Sequence, residues 1–309
     1  MNRISTAANY NSALLNILSA QNRQTEAQNQ VSTGKIATDL KGYGTKADAL
    51  TGARSLKARI DTHLENAKTL SSTLTIQDQA LNQLSTATQA ARDAIAEAVA
   101  TGNAAGLMET LKGKLGEAAD ALNTQFQGRY LFAGAETGTR PFTADDLTDL
   151  TAAPSIASLF GNDAIKQVDR LDDNLTVETG FLASDLATPI MTALKAVETF
   201  NAGGSGPLTG QMNQTQSDAL TAMLASFDSA FDTVNNAVAK NGELQNRVES
   251  IQGALTDRQT ALKGMIGDMS DVDMAEAVSR LQLAQVALQA SSQVFATLNN
   301  ASLLDILSR

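Results

Sequence analysis

Cysteine and tryptophan are absent from the 309 residues of this chain, and aromatic residues make up only 4% of it. Without cysteine the chain forms no disulfide and offers no thiolate to a metal ion. With so few aromatic side chains, a bulky globular core of the usual kind would be hard to fill. Long helices that pack through small side chains need less apolar volume, so the composition favours a helical protein.

Proline is also scarce, and its few occurrences are confined to one internal window. Residues 1–140 and 208–309 contain none, which removes the commonest helix breaker from two long segments. We therefore expect long helices on both sides of a middle region of different composition. The prolines are Pro141, Pro154, Pro189 and Pro207.

Basic residues are outnumbered, with 23 Lys and Arg against 33 Asp and Glu, for a net charge of -10. This balance repels phosphate backbones, so we expect no nucleic acid as a partner. No stretch reaches about 18 consecutive apolar residues, so no membrane insertion is predicted. The N-terminal segment lacks the basic region and apolar run of a Sec-type signal, so export would use another route.

Two long segments carry apolar residues at alternating spacings of three and four. The first runs from Ala47 to Thr101 and ends at the stop signal Gly102, and the second runs from Gln214 to Met269. A pattern sustained over so many heptads is typical of a coiled coil, and the similar lengths predict antiparallel pairing. The predicted seam consists of Leu56, Ile60, Leu70, Leu74, Leu81, Leu84, Ile95, Phe227, Phe231, Val234, Val238, Val248, Leu255 and Leu262.

The predicted fold is mainly α, with a long antiparallel coiled-coil stalk formed by both termini and a small α+β domain inserted in the middle. We divide the chain into an N-terminal assembly helix and loop (1–46) and a long helix, second helix and β-turn segment (47–140). The inserted outer domain (141–210) and a C-terminal segment with a long helix and a terminal assembly helix (211–309) follow. Apolar spacing from Leu107 to Phe126 predicts the second helix, and Tyr130 to Phe132 a short strand. Within the insertion, residues 186–200 predict an amphipathic helix and residues 201–210 a flexible linker.

Both ends of the chain are apolar and nearly uncharged. No charge occurs between Ile4 and Asn22, and Arg280 is the only charge between Ala277 and Leu304. Apolar residues recur on two faces of the C-terminal helix, one with Leu281, Leu288, Phe295 and Leu298, the other with Leu283, Val286, Ala290, Val294 and Ala301.

A helix that is apolar on two faces needs cover on both. Copies of the same chain would supply it, and contact between different faces of successive copies propagates into a tube or filament. The alternative is that the two ends pack only on each other. The predicted polymerisation interface consists of Ile4, Leu14, Leu15, Leu18, Leu281, Leu288, Phe295, Leu298, Leu303 and Leu304.

No catalytic, cofactor-binding or metal site is predicted. His63, the only histidine, falls on the seam with no cysteine to join it, so we interpret it as a packed or solvated seam residue. The sequence STGK at 32–35 is not a phosphate loop, because Asn29 stands where that motif requires glycine. Since no nucleophile, base and orienting residue converge, we predict a non-enzymatic protein.

Acidic pairs occur at 145–146, 172–173 and 271/273 without the spacing of a calcium-binding loop, and we interpret them as solvated turns and helix starts. Ser270 is predicted to cap the terminal helix, with Asp271, Asp273 and Glu276 in its first turn.

Three stretches resemble bacterial flagellins and their relatives. They are IST near the start, QVSTGK at 30–35 and, most specifically, DVDMAEAVSRLQLAQVALQASSQVFATLNNASLLDIL near the end. The resemblance implies a secreted structural protein that is exported unfolded through the flagellar type III apparatus. Its coiled-coil termini would form inner tubes, and its proline-containing domain would face outward. The family's usual Asp-Asp-Pro-like loop after STGK is replaced here by KIATDLKGYGTKAD.

Within that family, the opening MNRIST, the segment GRYLFAGAETGTRPF and the ending ASLLDIL are similar to the subunit that joins the hook to the filament. The alternative is a filament flagellin, the bulk propeller subunit, and from another class a secreted adhesin or enzyme. The implied partners are copies of itself, other axial proteins (hook-associated protein 1 and flagellin) and an export chaperone. No cofactor is implied.

Overall fold

The computed structural model describes the backbone of residues 2–307 and the side-chain surroundings of residues 8–298. Its helices are α1 (Asn2–Thr33), α2 (Ala47–Thr101), α3 (Leu107–Leu122), α4 (Leu147–Ala152), α5 (Ala183–Ala202), α6 (Gln214–Ser270) and α7 (Met274–Leu307), with short 3-10 turns at Lys41–Lys46 and Ile156–Leu159. Its strands are β1 (Gln125–Phe126), β2 (Arg129–Tyr130), β3 (Val168–Asp172) and β4 (Leu175–Glu178). This mainly helical content with small antiparallel sheets confirms that part of the predicted fold.

Glycine marks the ends of two of the long helices. α1 ends before Gly34 and α2 ends before Gly102, and both glycines adopt a positive φ, 68° and 64°. Such a residue stops a helix because it turns the backbone out of the helical path at little cost in glycine. The bounds of α2 agree with those predicted from the sequence, and α6 extends one residue further than predicted.

Two compact units make up the chain: residues 1–59 together with 257–309, and residues 60–256. The division into four segments drawn from the sequence stays a prediction. In the larger unit one continuous apolar core joins buried side chains of α2, α3, α4, α5 and α6. Phe132, Phe142 and Phe227 are among its largest fully buried side chains.

Within the larger unit, α2 and α6 run antiparallel. Polar side chains form hydrogen bonds between the two helices at several points. Residues later in α2 bond to residues earlier in α6. The crossing bonds are Gln252 to the Ala67 carbonyl (2.8 Å), Asn241 to the Leu74 carbonyl (3.0 Å), Ser85 to Asn235 (2.8 Å) and Arg92 to Asp228 (2.9 Å). Asp228 also raises the pKa of the Arg92 guanidinium, chiefly through this hydrogen bond.

Two small hairpins lie in the middle of the chain. In the first, β1 pairs with β2, and the connecting residues Gln127 and Gly128 both have positive φ, 51° and 77°. That combination is typical of the tight turn that matches the twist of a two-residue hairpin. In the second, β3 pairs with β4 from Val168 opposite Glu178 to Asp172 opposite Leu175, with a register irregularity before Asp172.

Three local predictions need correction. The helix that begins at Leu107 ends at Leu122, so that Phe126 belongs to strand β1 instead. The strand predicted at 130–132 is shorter and earlier, at Arg129–Tyr130. Residues 201–210 form an ordered loop and not the predicted flexible linker. The Asn201 side chain accepts a hydrogen bond from the Leu208 backbone N–H (2.9 Å), and Leu208 is buried.

Candidate assembly surface

α1 and α7 pack against each other through small side chains. Ala13, Ala20 and Ala27 of α1 are buried at seven-residue intervals, and so are Ala277 and Ala284 of α7. Because alanine ends at Cβ, the two backbones approach until Cα atoms of facing residues lie within 8 Å. We call this contact, defined by the five alanines, the alanine seam. The sequence carried its signal, a heptad of alanines, but reasoning from large apolar residues overlooked it.

One of the two apolar faces of α7 continues the alanine seam. The rings of Phe295 and of Tyr10 on α1 lie 4.9 Å apart. Because the end of α1 also lies beside the start of α7, where the Val272 N–H donates to the Gly34 carbonyl, the two helices run antiparallel. Leu281 and Leu288 share the heptad position of Phe295, Leu298 shares that of Ala284, and all three leucines are half-buried. These four predicted interface residues of α7 are therefore partly covered within a single copy of the chain.

Other predicted interface residues point away from the seam. On α1, Leu14, Leu15 and Leu18 are exposed, with Leu15 keeping 66% of its surface. We call these three residues the α1 strip. The second face of α7 is exposed in the same way, and we call Leu283, Val286 and Val294 the α7 strip; Leu283 keeps 68% of its surface. The remaining predicted interface residues, Ile4, Leu303 and Leu304, lie outside the residues whose side chains are described.

The α7 strip borders two shallow grooves along one flank of the α1–α7 pair. One groove is lined by Leu283, Ala284 and Ala287 with Arg23 and Glu26 of α1. The other is lined by Ala290, Val294 and Leu298 with Asn9, Ser12 and Asn16 of α1. Apart from Ala13 and Ala27 of the alanine seam, the α1 side of both grooves is polar or charged, and the α1 strip lines neither of them. The two exposed strips therefore lie on different faces of the pair.

The loops that adjoin these helices are held together by a short bridge. The Ile36 N–H donates to the Ser270 carbonyl (2.8 Å), and the Val272 N–H donates to the Gly34 carbonyl (3.0 Å). The Lys35 ammonium bonds the Asp271 carboxylate, and this bond is the main cause that lowers the pKa of Asp271; a bond from Ser270 adds to it. The lysine of the STGK sequence thus pairs with a carboxylate.

Ser270 does not cap the terminal helix, contrary to the prediction. It is the last residue of α6, and α7 begins only at Met274. The cap is Asp273, whose Oδ1 accepts the backbone N–H groups of Ala275 (2.8 Å) and Glu276 (3.2 Å). Ser270 instead belongs to the loop bridge, because its carbonyl accepts the Ile36 N–H.

Most predicted seam residues of α2 and α6 are buried. Phe231 and Val238 are half-buried, and Leu56 remains exposed at 38%. Leu244 is buried as well, although the prediction omitted it. The buried members are Ile60, Leu70, Leu74, Leu81, Leu84, Ile95, Phe227, Val234, Val248, Leu255 and Leu262.

The acidic pair at 145–146 has structural partners. The Asp145 carboxylate lies 2.7 Å from the Arg140 guanidinium. The Lys112 ammonium, 2.7 Å from Asp146, is the main cause that lowers the pKa of that carboxyl, and the Thr148 backbone N–H adds to it. Asp146 also caps α4.

No helix among the described residues is both long and apolar enough to cross a membrane. The smaller unit exposes two apolar strips on its α1–α7 helix pair. An arrangement of this kind suits a protein that associates through its terminal helices.

Family comparison agrees with this class of protein. The bacterial flagellin N-terminal helical region matches residues 4–137, and the bacterial flagellin C-terminal helical region matches residues 224–307. Together they cover more than half of the chain. The chain belongs to the bacterial flagellin family, as the sequence resemblance predicted.

Two relatives match over nearly their whole length. Flagellar hook-associated protein 3 of Escherichia coli is 24% identical, over 98% of this chain and 99% of the relative, and that of Salmonella typhimurium is 23% identical over the same shares. Flagellin FljO of Caulobacter vibrioides is 27% identical, but over only 42% of this chain and 46% of its own.

Solved structures show the same fold. A flagellar hook-associated protein from Vibrio parahaemolyticus superposes with a TM-score of 0.59 at 17% identity, over 73% of this chain and 97% of its own. Bacillus cereus FlgL gives 0.52 at 17% identity, over 71% of this chain and 98% of its own.

Membership of this family carries several consequences. Its members are structural proteins without enzymatic activity, which confirms the predicted class. It implies that the chain associates with itself and with other axial components of the flagellum, and that it resides in that organelle.

Proposed function

We propose that this chain is the structural subunit that joins the flagellar hook to the filament. The observation that carries the proposal is the extent of the similarity: hook-associated protein 3 of two species matches 98% of the chain, including its middle region, whereas flagellin FljO matches 42%. A filament flagellin would be expected to match FljO over a larger share of its length.

Its neighbours in this role are copies of itself, hook-associated protein 1 on the hook side and flagellin on the filament side. The chain reaches its place outside the cell through the flagellar type III apparatus, with an export chaperone bound beforehand. The absence of cysteine suits this route, because an unfolded chain without thiols cannot form wrong disulfides on the way.

The stalk is an antiparallel coiled coil to which both terminal halves of the chain contribute. The hydrogen bonds between α2 and α6 and the buried seam residues support this pairing in the larger unit. In the smaller unit, the buried alanines of the alanine seam support a pairing of α1 with α7. Asn241 fixes the register, because its amide bonds the Leu74 carbonyl from a fully buried position.

The α1 strip and the α7 strip form the contact between subunits. They lie on different faces of the helix pair, so the α7 strip of one copy can meet the α1 strip of the next. A contact between unlike faces does not close on itself and continues around a ring or tube. Leu281, Leu288, Phe295 and Leu298 act mainly within one subunit, as their half-burial beside the alanine seam suggests.

The experiment that tests the role is deletion of the gene. Cells without a junction subunit should keep normal hooks, carry no filaments and release unassembled flagellin into the medium. Expression of the intact chain from a plasmid should restore filaments. Loss of the main filament protein itself, with no flagellin in the medium, would instead identify this chain as a filament flagellin and contradict the proposal.

The surface is tested by complementation of that deletion with single variants. Leu283→Asp should prevent filament formation, because the contact between copies would bury an unpaired carboxylate at a cost of several kcal/mol. The monomer should be as stable as the wild type to within about 0.5 kcal/mol, because Leu283 is exposed there. Gln289→Asp, an exposed residue of the same helix outside the strip, is the control. Equal motility of both variants would place the contact elsewhere.

A further inference from the structure

The only histidine of the chain has two aspartates beside it. His63 lies on α2, more than a hundred positions before the two aspartates. Asp172 is the last residue of β3, and Asp173 begins the turn to β4. One ligand atom from each of the three side chains falls within 4.8 Å of the other two. All three residues belong to the larger unit. Sequence reasoning treated His63 as a seam residue alone, because nothing in the spacing brings the hairpin to it.

The geometry around the imidazole favours Nε2 as the metal ligand. Nδ1 is buried and has no hydrogen-bond partner. Nε2 lies 3.4 Å from the Asp173 Oδ1, and the whole side chain keeps only 14% of its surface. A separation of 3.4 Å is long for a hydrogen bond between nitrogen and oxygen. It is close to the distance of about 3.4 Å between two tetrahedral ligands that each lie about 2.1 Å from a zinc ion.

The aspartates are held in place by the hairpin itself. The Arg170 guanidinium donates to the backbone carbonyls of Asp172 (3.2 Å) and Asp173, which fixes the turn. The Asp173 N–H donates to the Asp172 Oδ1 (2.8 Å). Both aspartates also take part in other protein contacts, so a metal ion would compete with existing partners. The Asp173 side chain is half exposed, which gives an ion a path from solvent.

We propose that His63, Asp172 and Asp173 form a binding site for one divalent transition-metal ion, with Zn²⁺ as the best fit. Imidazole selects zinc and similar ions over calcium and magnesium, which prefer oxygen ligands alone. Three protein ligands leave a fourth tetrahedral position to water. The bound ion would fasten the β3–β4 hairpin to α2, so its role is structural.

Because the sequence has no other histidine and no cysteine, no second imidazole or thiolate competes for Zn²⁺ in the test, provided that the protein carries no histidine tag. Zn²⁺ titrated into the full chain by calorimetry at neutral pH should bind with one ion per chain and a Kd below about 100 µM. Zn²⁺ should also protect the single imidazole from diethyl pyrocarbonate, a reagent that modifies unliganded histidine.

Variants on the two elements distinguish the site from general binding to surface acids. His63→Gln and Asp172→Asn should each weaken Zn²⁺ binding at least about tenfold, with an unchanged helical circular dichroism spectrum. Glu243→Gln removes one negative charge, as Asp172→Asn does, but from an exposed position of α6, and it should leave the Kd for Zn²⁺ unchanged. Zn²⁺ binding that survives His63→Gln would overturn the proposal. A histidine that stays equally reactive with and without Zn²⁺ would also overturn it, and would leave His63 and Asp173 as an ordinary ion pair.

Discussion

Enlarging one alanine of the alanine seam tests how α1 and α7 are held together. Ala20 keeps only 1% of its surface and lies midway between Ala13 and Ala27. Ala20→Leu adds three carbon atoms at a position with almost no free surface, so the helices must separate or the side chain must adopt a strained rotamer. Overpacking of this kind costs about 1–3 kcal/mol. This is a sizeable part of the stability expected for a small unit.

Hydrogen–deuterium exchange of the purified monomer measures this cost directly. A loss of 1–3 kcal/mol corresponds to a fall of roughly 5- to 150-fold in the protection of amides that exchange through opening of the α1–α7 pair. We expect this fall in peptides from α1 and α7 and none in peptides from α3 and α5, which belong to the larger unit. Ser19→Leu adds similar bulk at a neighbouring exposed position and should leave protection unchanged.

Two results would refute this reasoning. If Ala20→Leu and Ser19→Leu had the same effect, the closeness of the two helices would not depend on the small side chain. If Ala20→Leu raised protection, α1 and α7 would have room between them that leucine fills.

Three further predictions concern single contacts. Asn123→Ala should lower the free energy of unfolding by about 1–3 kcal/mol in urea, because it removes two bonds to the Phe142 backbone, both 3.0 Å, and leaves those groups unpaired. Phe227→Ala should cost about 3–5 kcal/mol by the same assay, because it empties a fully buried site; a loss below 1 kcal/mol would contradict the burial. The pairing with Lys35 keeps the folded-state pKa of Asp271 below its ordinary value of 3.8, so its stabilising effect is complete above that value and is lost as the pH falls through the folded-state pKa. Asp271→Asn should therefore reduce the loss of stability between about pH 5 and 2, and an unchanged acid titration would contradict the pairing.

The long helices could be predicted from the sequence because their signals are local and repeated. The apolar seam of α2 continues without proline until Gly102, so both bounds of that helix follow from the pattern. The middle region gave weaker signals. Residues 201–210 resemble a linker in composition, yet Leu208 and the bonds of Asn201 hold them in place, and such contacts depend on the rest of the fold.

The assembly surface could be predicted only in part. Both faces of α7 are apolar, and periodicity does not tell which one turns toward α1. In the structure the face with Ala277 and Ala284 is buried, whereas the face with Leu283 is exposed. His63 and Asp172 meet only because the hairpin packs near α2, which no local pattern encodes.

The central claim, that this chain occupies the boundary between hook and filament, is tested most directly by locating it on intact flagella. Gold-labelled antibodies against the chain, applied to flagella from wild-type cells and viewed by electron microscopy, should bind in one narrow band where the hook meets the filament. Gold particles along the whole filament would identify a bulk filament subunit and contradict the account.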